Sequence, residues 1–208
     1  MRCPKGRWAS LTALFLSSLA ACVLPSEAPA QQGAEAQGVE QCVTCHGPGG
    51  NSVTAGTPSI AGQPKLFVEN QLILFREGLR RSEAMAPVVK GMKDPQIIAL
   101  AKHFSSLPGR KVTESPLDKG LAQKGRALAR QLHCGSCHVS TFEGQNQIPR
   151  LAGQREEYLE SEMKAYRDGK RSGGDTIMAA ALYGVKDPEI RALAHFLSHL
   201  EPSARPSR

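Results

Sequence analysis

Residues 42–46 read Cys-Val-Thr-Cys-His, and residues 134–138 read Cys-Gly-Ser-Cys-His. In each pentapeptide two thiols three positions apart can reach the two vinyl groups on one edge of a porphyrin, and the adjacent imidazole is then held where it can bind iron. The pattern predicts two covalently bound haem c groups. Their predicted attachment residues are Cys42, Cys45, Cys134 and Cys137, and the predicted iron ligands are His46 and His138.

Other uses of paired cysteines fit this sequence less well. A disulfide between cysteines three positions apart closes a very small loop and gives little stability. A zinc ribbon places its two cysteine pairs much closer in sequence than the 92 residues between Cys42 and Cys134. A thioredoxin-like redox pair is not expected to have a histidine after the second cysteine in both copies. Haem attachment is therefore the favoured interpretation.

The chain also repeats itself with an offset close to that between the two pentapeptides. The matching segments are PSIAGQ at 58–63 with PRLAGQ at 149–154, LFREGLR at 74–80 with AYRDGKR at 165–171, and KDPQIIALA at 93–101 with KDPEIRALA at 186–194. Each copy has helical periodicity and no strand pattern. The sequence therefore predicts an all-α protein of two tandem modules. Each module is small for an independent core, so we expect folding to depend on haem.

Helix boundaries can be predicted from the same signals. Residues 119–131 are good helix formers that lead into the second attachment site, and a shorter, weaker counterpart is predicted to end at Gln41. A middle helix is predicted to begin at Pro64 and to stop at Gly78, with an equivalent ending at Gly169. The last helix of each copy is predicted to have an aspartate N-cap, Asp94 or Asp187.

Aligning the two copies also distinguishes two methionines that occupy equivalent positions. Met85 lies nine residues before Asp94, and Met178 lies nine before Asp187, so both occupy the same place in their modules. Met92 falls opposite Val185, an ordinary packing residue. Met85 and Met178 are therefore predicted as the second axial ligands, which would close both irons to substrates and raise their potentials. Met163, like Met92, is predicted to pack, and the histidines that do not recur are predicted as surface or packing residues: His103, His133, His195 and His199.

The amino end resembles an export signal. Three basic residues precede an apolar run, residues 11–23, that is too short to span a bilayer. Two processing sites compete: cleavage after residues 28–30 (Ala-Pro-Ala), and a lipobox-like Leu-Ala-Ala-Cys ending at Cys22, which would then bear a lipid. The predicted organisation is a signal peptide at 1–30, a first domain at 31–108, a linker at 109–118, a second domain at 119–201 and a flexible tail at 202–208.

The formal net charge is +7, and the basic residues are spread along the chain. An exported protein without aromatic residues among its basic ones is not expected to bind nucleic acid. The charge instead favours an acidic protein partner or an anionic membrane surface.

These motifs resemble the tandem class I cytochromes c of the cytochrome c4-like type. The matching residues are the two Cys-x-x-Cys-His pentapeptides, Gly50-Asn51-Ser52, the segments 58–63 and 149–154, Gly78-Leu79-Arg80, Gly169-Lys170-Arg171, Met85 and Met178; the second copy lacks Gly-Asn-Ser. The resemblance implies a periplasmic electron carrier whose two haems lie near each other across the module interface. It also implies that the carbonyls of Pro58 and Pro149 accept a hydrogen bond from His46 and His138.

Three functions follow from the resemblance and the residues. The first is one-electron transfer between a quinol-oxidising complex and a terminal oxidase or reductase. The second is the electron-accepting subunit of a periplasmic dehydrogenase with a flavin or quinone partner. The third, a di-haem peroxidase, needs an open iron position, and the paired Met85 and Met178 argue against it. Membrane association is expected through a lipid on Cys22 or through docking to membrane complexes.

Overall fold

The computed structural model describes residues 30–112 and 115–203. The predicted export signal with its lipobox and the last residues of the predicted tail lie outside the described residues. The helices are α1 (Ala30–His46), α2 (Lys65–Arg76), α3 (Met85–Val89), α4 (Asp94–Ser106), α5 (Lys119–Gln131), α6 (Cys134–Cys137), α7 (Glu156–Arg167), α8 (Thr176–Ala181) and α9 (Asp187–Ser198). The described residues form no strand, which agrees with the all-α prediction. No helix among them combines the length and apolar character needed to cross a membrane.

The two copies use this set of helices in the same order. We call the part containing α1–α4 the first repeat and the part containing α5–α9 the second repeat. The prediction of a helix at 119–131 is confirmed by α5. The prediction of a shorter counterpart in the first repeat is wrong, because α1 continues through the attachment site to His46. In the second repeat the left-handed backbone of His133, with φ 53°, separates α5 from α6.

The last helices begin one residue away from the predicted caps. Lys93 is the N-cap of α4, and its N–H donates to Oε1 of Gln96 at 2.9 Å. Asp94, the predicted cap, instead accepts a hydrogen bond from Nη1 of Arg76 at 2.7 Å. The second repeat has the same arrangement in Lys186, Glu189, Asp187 and Arg167. The Asp-Pro step therefore joins the last helix to the middle helix of its own repeat. Pro64 likewise precedes α2 as its N-cap.

The core of the second repeat forms where α9 crosses α5 and α7. Its buried side chains include Leu159, Ile190 and Leu193. Helix α5 approaches α9 closely at Gly125, where an added Cβ would lie 2.0 Å from the carbonyl oxygen of Ala192. Met163 is buried in this core, so the prediction that it packs is confirmed. In the first repeat α4 buries Ile97, Leu100, Ala101 and Phe104 in the equivalent position.

Candidate haem sites

Each predicted axial histidine is held by the carbonyl of a proline. His46 Nδ1 lies 2.8 Å from the oxygen of Pro58, and His138 Nδ1 lies 2.9 Å from the oxygen of Pro149. Because a carbonyl can only accept, Nδ1 must be the protonated nitrogen and Nε2 retains a lone pair for a metal. Both rings therefore have the tautomer and a fixed orientation that iron ligation requires.

Burial acts on these histidines in the same direction. His46 and His138 are both buried. Loss of solvent lowers the pKa of each imidazole, and the hydrogen bond to proline opposes this effect only in part. The neutral form, which is the form that binds metal, is therefore favoured at neutral pH.

The four predicted attachment cysteines are free thiols in the structure. Cys42 and Cys134 are half-buried, whereas Cys45 and Cys137 are exposed. Burial, helped by the neighbouring Cys45, raises the pKa of Cys42 to about 11, and burial raises the pKa of Cys134 as well. Burial therefore favours the neutral thiol form of Cys42 and Cys134.

The paired methionines lie on the short helices that precede the last helix of each repeat. Met85 begins α3 and Met178 lies in α8, and both side chains are half-buried. Met178 and Cys134 pack against the same buried core cluster of the second repeat. The structure thus places the attachment end and the methionine end of that repeat on one apolar core. Free thiols, histidines with an available Nε2, a thioether and an apolar wall fit haem c.

The segments that hold the histidines also join the two repeats. The side chain of Gln154 accepts from the N–H of Ser59 at 2.7 Å and donates to its carbonyl at 2.8 Å. The side chain of Gln63 accepts from the N–H of Arg150 at 2.9 Å and donates to its carbonyl at 3.0 Å. All four contacts are buried. Ser59 and Arg150 directly follow Pro58 and Pro149, so these contacts link the two histidine supports. The contacts have local two-fold symmetry, because each repeat makes the same pair of hydrogen bonds to the other.

A second set of contacts joins the middle helices. Arg80 donates to Glu162 and Tyr158 of the other repeat, each at 3.1 Å, and to Gln71 of its own repeat at 2.6 Å. Arg171, at the position equivalent to Arg80, donates to Glu162 and, at 3.2 Å, to Gln71. We call this four-residue set, Gln71, Arg80, Glu162 and Arg171, the arginine cluster. Its members obey the same two-fold relationship as the glutamines.

Reasoning from the sequence missed these contacts between the repeats. The glutamines and arginines served there only to align the two copies. The available signal was that Gln63 and Gln154, and likewise Arg80 and Arg171, recur at the same offset of 91 although they are polar. Repeated polar residues that are buried need partners, and here each finds one in the opposite repeat.

Among the described residues, one further group of potential metal donors lies in the second repeat, namely Glu156, His195 and His199. His195 Nε2 accepts from the N–H of Asp118 at 3.0 Å, so the proton of His195 lies on Nδ1, which faces Glu156 at 3.1 Å. His195 has no lone pair left for an ion. These residues form hydrogen bonds that join the start of α5, the start of α7 and the end of α9, in agreement with a packing role for His195.

Comparison with known proteins agrees with this geometry. A family model described as cytochrome c matches residues 122–201. A thiosulfate dehydrogenase electron acceptor from Thiomonas intermedia is 32% identical over 181 residues, which cover 82% of this chain and 83% of that protein. A cytochrome c4 from Thiocapsa roseopersicina is 30% identical over 180 residues, 81% of this chain and 92% of that protein. The crystal structure of reduced cytochrome c4 from Pseudomonas stutzeri matches with a TM-score of 0.74 at 26% identity, over 82% of this chain and 98% of that one.

Two helical repeats, each with a haem-attachment pentapeptide and a proline-supported histidine, define a di-haem cytochrome c of the class I type. The chain belongs to the cytochrome c4-like family. It is an electron-transfer protein with two covalently bound haem c groups, as the sequence predicted, and relatives of this kind transfer electrons without transforming a substrate themselves.

Proposed function

We propose that this chain is an exported electron acceptor that serves a thiosulfate-oxidising dehydrogenase. The observation that supports it most is the similarity, along most of both chains, to a protein named for accepting electrons from thiosulfate dehydrogenase. This favours the dehydrogenase function among those that the sequence left open and replaces its unspecified flavin or quinone partner with a sulfur-compound dehydrogenase. The periplasm, reached through the signal at residues 1–30, is the proposed location, with lipid attachment at Cys22 as the alternative form of processing.

The proposed iron ligands are the two histidines and the two paired methionines. His46 and Met85 would hold one iron, and His138 and Met178 the other. Bound haem c supplies one-electron redox chemistry at its iron. The protein contributes the rest: Pro58 and Pro149 fix the protonated nitrogen of each histidine. The histidine and methionine together would leave no open position for a substrate, as expected for a carrier and not for a peroxidase.

The contacts between the repeats support a single two-centre acceptor. Gln63 and Gln154 hydrogen-bond to the residue that follows each histidine-supporting proline, so the two candidate haem sites are held in one body. An acceptor with two fixed centres can take up two electrons from one donor in successive single steps. A loose pair of independent modules would not keep these centres at a constant separation.

Mixing experiments test the proposed donor. The oxidised holoprotein is combined with the catalytic subunit of a bacterial thiosulfate dehydrogenase, and reduction is followed through the haem absorption after thiosulfate is added. We expect both haems to become reduced at catalytic concentrations of the dehydrogenase, and no reduction when thiosulfate or the dehydrogenase is omitted. Absence of reduction by the complete mixture would contradict the proposed donor.

A second candidate function is general electron transfer from a membrane quinol-oxidising complex to a terminal oxidase or reductase. The similarity to cytochrome c4 proteins favours it. The same assay with a quinol and a quinol-oxidising complex as donor distinguishes the two functions. Reduction by this complex alone would support the second candidate, and reduction by the dehydrogenase alone would support the first.

A further inference from the structure

The junction between the repeats contains a buried arginine that forms no ion pair with the described residues. Arg150 is 1% exposed, and its guanidinium donates to the carbonyls of Ala152 in its own repeat and, at 2.8 Å, of Ala61 in the other. Its Nε is buried and has no hydrogen-bond partner among the described residues. Both of its partners are neutral carbonyls, so the guanidinium bridges the repeats without being neutralised. The equivalent residue of the first repeat is the uncharged Ser59.

Arg150 nevertheless keeps its charge at neutral pH. Burial lowers its pKa to about 10, and the more distant charge of Glu143 acts in the opposite direction. Among the described residues the partners of this guanidinium are the carbonyls of Ala61 and Ala152, and it forms no ion pair with a carboxylate. A buried cation of this kind acts strongly on its surroundings, because no solvent screens it.

The arginine cluster adds to this excess of positive charge. Arg80 and Arg171, whose side chains are 10% and 8% exposed, both bind the single carboxylate of Glu162. The position related to Glu162 by the repeat is Gln71, which accepts hydrogen bonds from the same two arginines but has no charge. The cluster therefore has two guanidiniums for one carboxylate, and Arg150 is a further buried guanidinium that is bonded only to carbonyls.

The Arg150 charge lies close to both candidate haem sites. Ala61 is three residues from Pro58, and Ala152 is three residues from Pro149. Three residues of chain reach at most about 11 Å, so the Arg150 guanidinium is near the histidine-supporting carbonyl of each repeat. Ser59 and Arg150 are equivalent positions of the two repeats, and only Arg150 is charged. This one charge therefore acts on both repeats.

We propose that the buried positive charge of Arg150 and the arginine cluster raises the reduction potentials of both haems. An oxidised haem has one more positive charge than a reduced one, so a nearby buried cation disfavours the oxidised form. The charges of Arg150 and the arginine cluster thus favour the reduced haems and make the protein a better electron acceptor. This inference rests on haem binding at the proposed ligands, and it concerns potentials, which the identity of the donor does not determine.

Two substitutions at separate points of the junction test it. Gln71→Glu keeps the shape and the acceptor oxygen and adds a carboxylate beside Arg80 and Arg171. Arg150→Gln removes the unpaired charge. In spectroscopic redox titrations of the holoproteins we expect each change to lower the reduction equilibrium constant of at least one haem, by roughly four- to tenfold for a unit charge about 11–20 Å from the iron with an effective dielectric constant of about 20.

Three controls separate this effect from a change of structure. Arg150→Lys keeps the charge and is expected to retain most of the wild-type potential. Arg191→Gln removes the charge of an exposed arginine on α9 and is expected to leave the potentials unchanged. The far-red absorption band that a methionine ligand gives the oxidised haem should stay intact in all variants, and the shifts of the junction variants should persist at high salt because buried charges are poorly screened.

The outcomes are distinct. Lower potentials in Gln71→Glu with an intact far-red band support the inference, even if Arg150→Gln fails to fold. Unchanged potentials in Gln71→Glu and in folded Arg150→Gln overturn it while leaving the proposed function in place. Failure of the wild-type protein to show two haem titrations would instead contradict the haem assignment on which both depend.

Discussion

The side chain of Gln154 binds both backbone polar groups of Ser59, at 2.7 Å to its N–H and 2.8 Å to its carbonyl, although the two residues belong to different repeats. The repeat supplies the reciprocal pair, Gln63 with Arg150. Because each bonded residue follows a proline that supports a haem histidine, the contact that joins the repeats also stabilises the two candidate haem sites.

Replacing either glutamine should weaken this junction. Gln154→Ala leaves the buried N–H and carbonyl of Ser59 without partners, and we expect it to lower the free energy of unfolding by about 2–4 kcal/mol. Gln63→Ala should act alike, and the double variant should unfold in two separate steps. Denaturant titration of the holoprotein measures this, with the exposed Gln147→Ala as control. Wild-type stability in both glutamine variants would show that the junction does not couple the repeats.

The close approach of α5 and α9 predicts a sharp contrast between two glycines of one helix. Gly125→Ala would place a Cβ 2.0 Å from the Ala192 carbonyl oxygen, so the helices must separate, at a cost of about 1–3 kcal/mol. At Gly120 the nearest atom to an added Cβ is Asp118 Oδ1, at 3.3 Å, and Ala there should be tolerated. Thermal unfolding measures both variants. Equal stability of the two would contradict the packing described here.

Acid sensitivity should depend in part on the ion pair between α7 and α9. The hydrogen bond from Arg167 lowers the pKa of Asp187 in the folded protein. Its contribution to stability is therefore present above the unfolded pKa, about 3.9, and is lost as the pH falls from there through the lower pKa of the folded state. We expect Asp187→Asn to be slightly less stable at pH 7 and to lose less stability on acidification below about pH 4. Identical pH profiles for variant and wild type would contradict this.

Folding of the second repeat should require its haem. Cys134→Ala with Cys137→Ala prevents attachment, and the core against which Cys134 and Met178 pack would then lack its largest apolar component. We expect loss of helical circular dichroism and rapid proteolysis within residues 119–201, while the first repeat retains its haem. A variant whose second repeat is still protected from proteolysis would show that this repeat folds without haem.

Much of this architecture could be predicted because the chain contains two copies of one pattern. The position of Met85 relative to Asp94 recurs in Met178 and Asp187, so aligning the two copies is enough to separate a packing residue such as Met163 from the paired methionines. The Lys119–Gln131 helix could be predicted from local propensities alone. Its agreement with α5 shows how strong that local signal is.

The predicted N-caps and the missing Gly-Asn-Ser segment differ from the structure for a common reason, namely contacts that local sequence does not determine. Asp94 is a good N-cap residue by type, but a nearby Arg76 on α2 binds its carboxylate, and Gln96 caps the backbone instead. The missing Gly-Asn-Ser of the second repeat has a similar explanation. Phe142 adopts the left-handed backbone, with φ 60°, and its carbonyl accepts from Leu151 and Ala152 as that of Gly50 accepts from Ile60 and Ala61. Its packing against Phe196 accompanies that conformation.

The most direct test of the central claim, that each iron is held by one histidine and one of the paired methionines, is the far-red absorption band of the oxidised protein in methionine variants. Met85→Ala and Met178→Ala should each remove about half of this band and lower the potential of one haem, because methionine ligation raises haem potentials. Met92→Ala, seven residues from Met85 in the same repeat, should leave the band and both potentials unchanged. Loss of the band in Met92→Ala, or its full retention in Met85→Ala or Met178→Ala, would contradict the assignment.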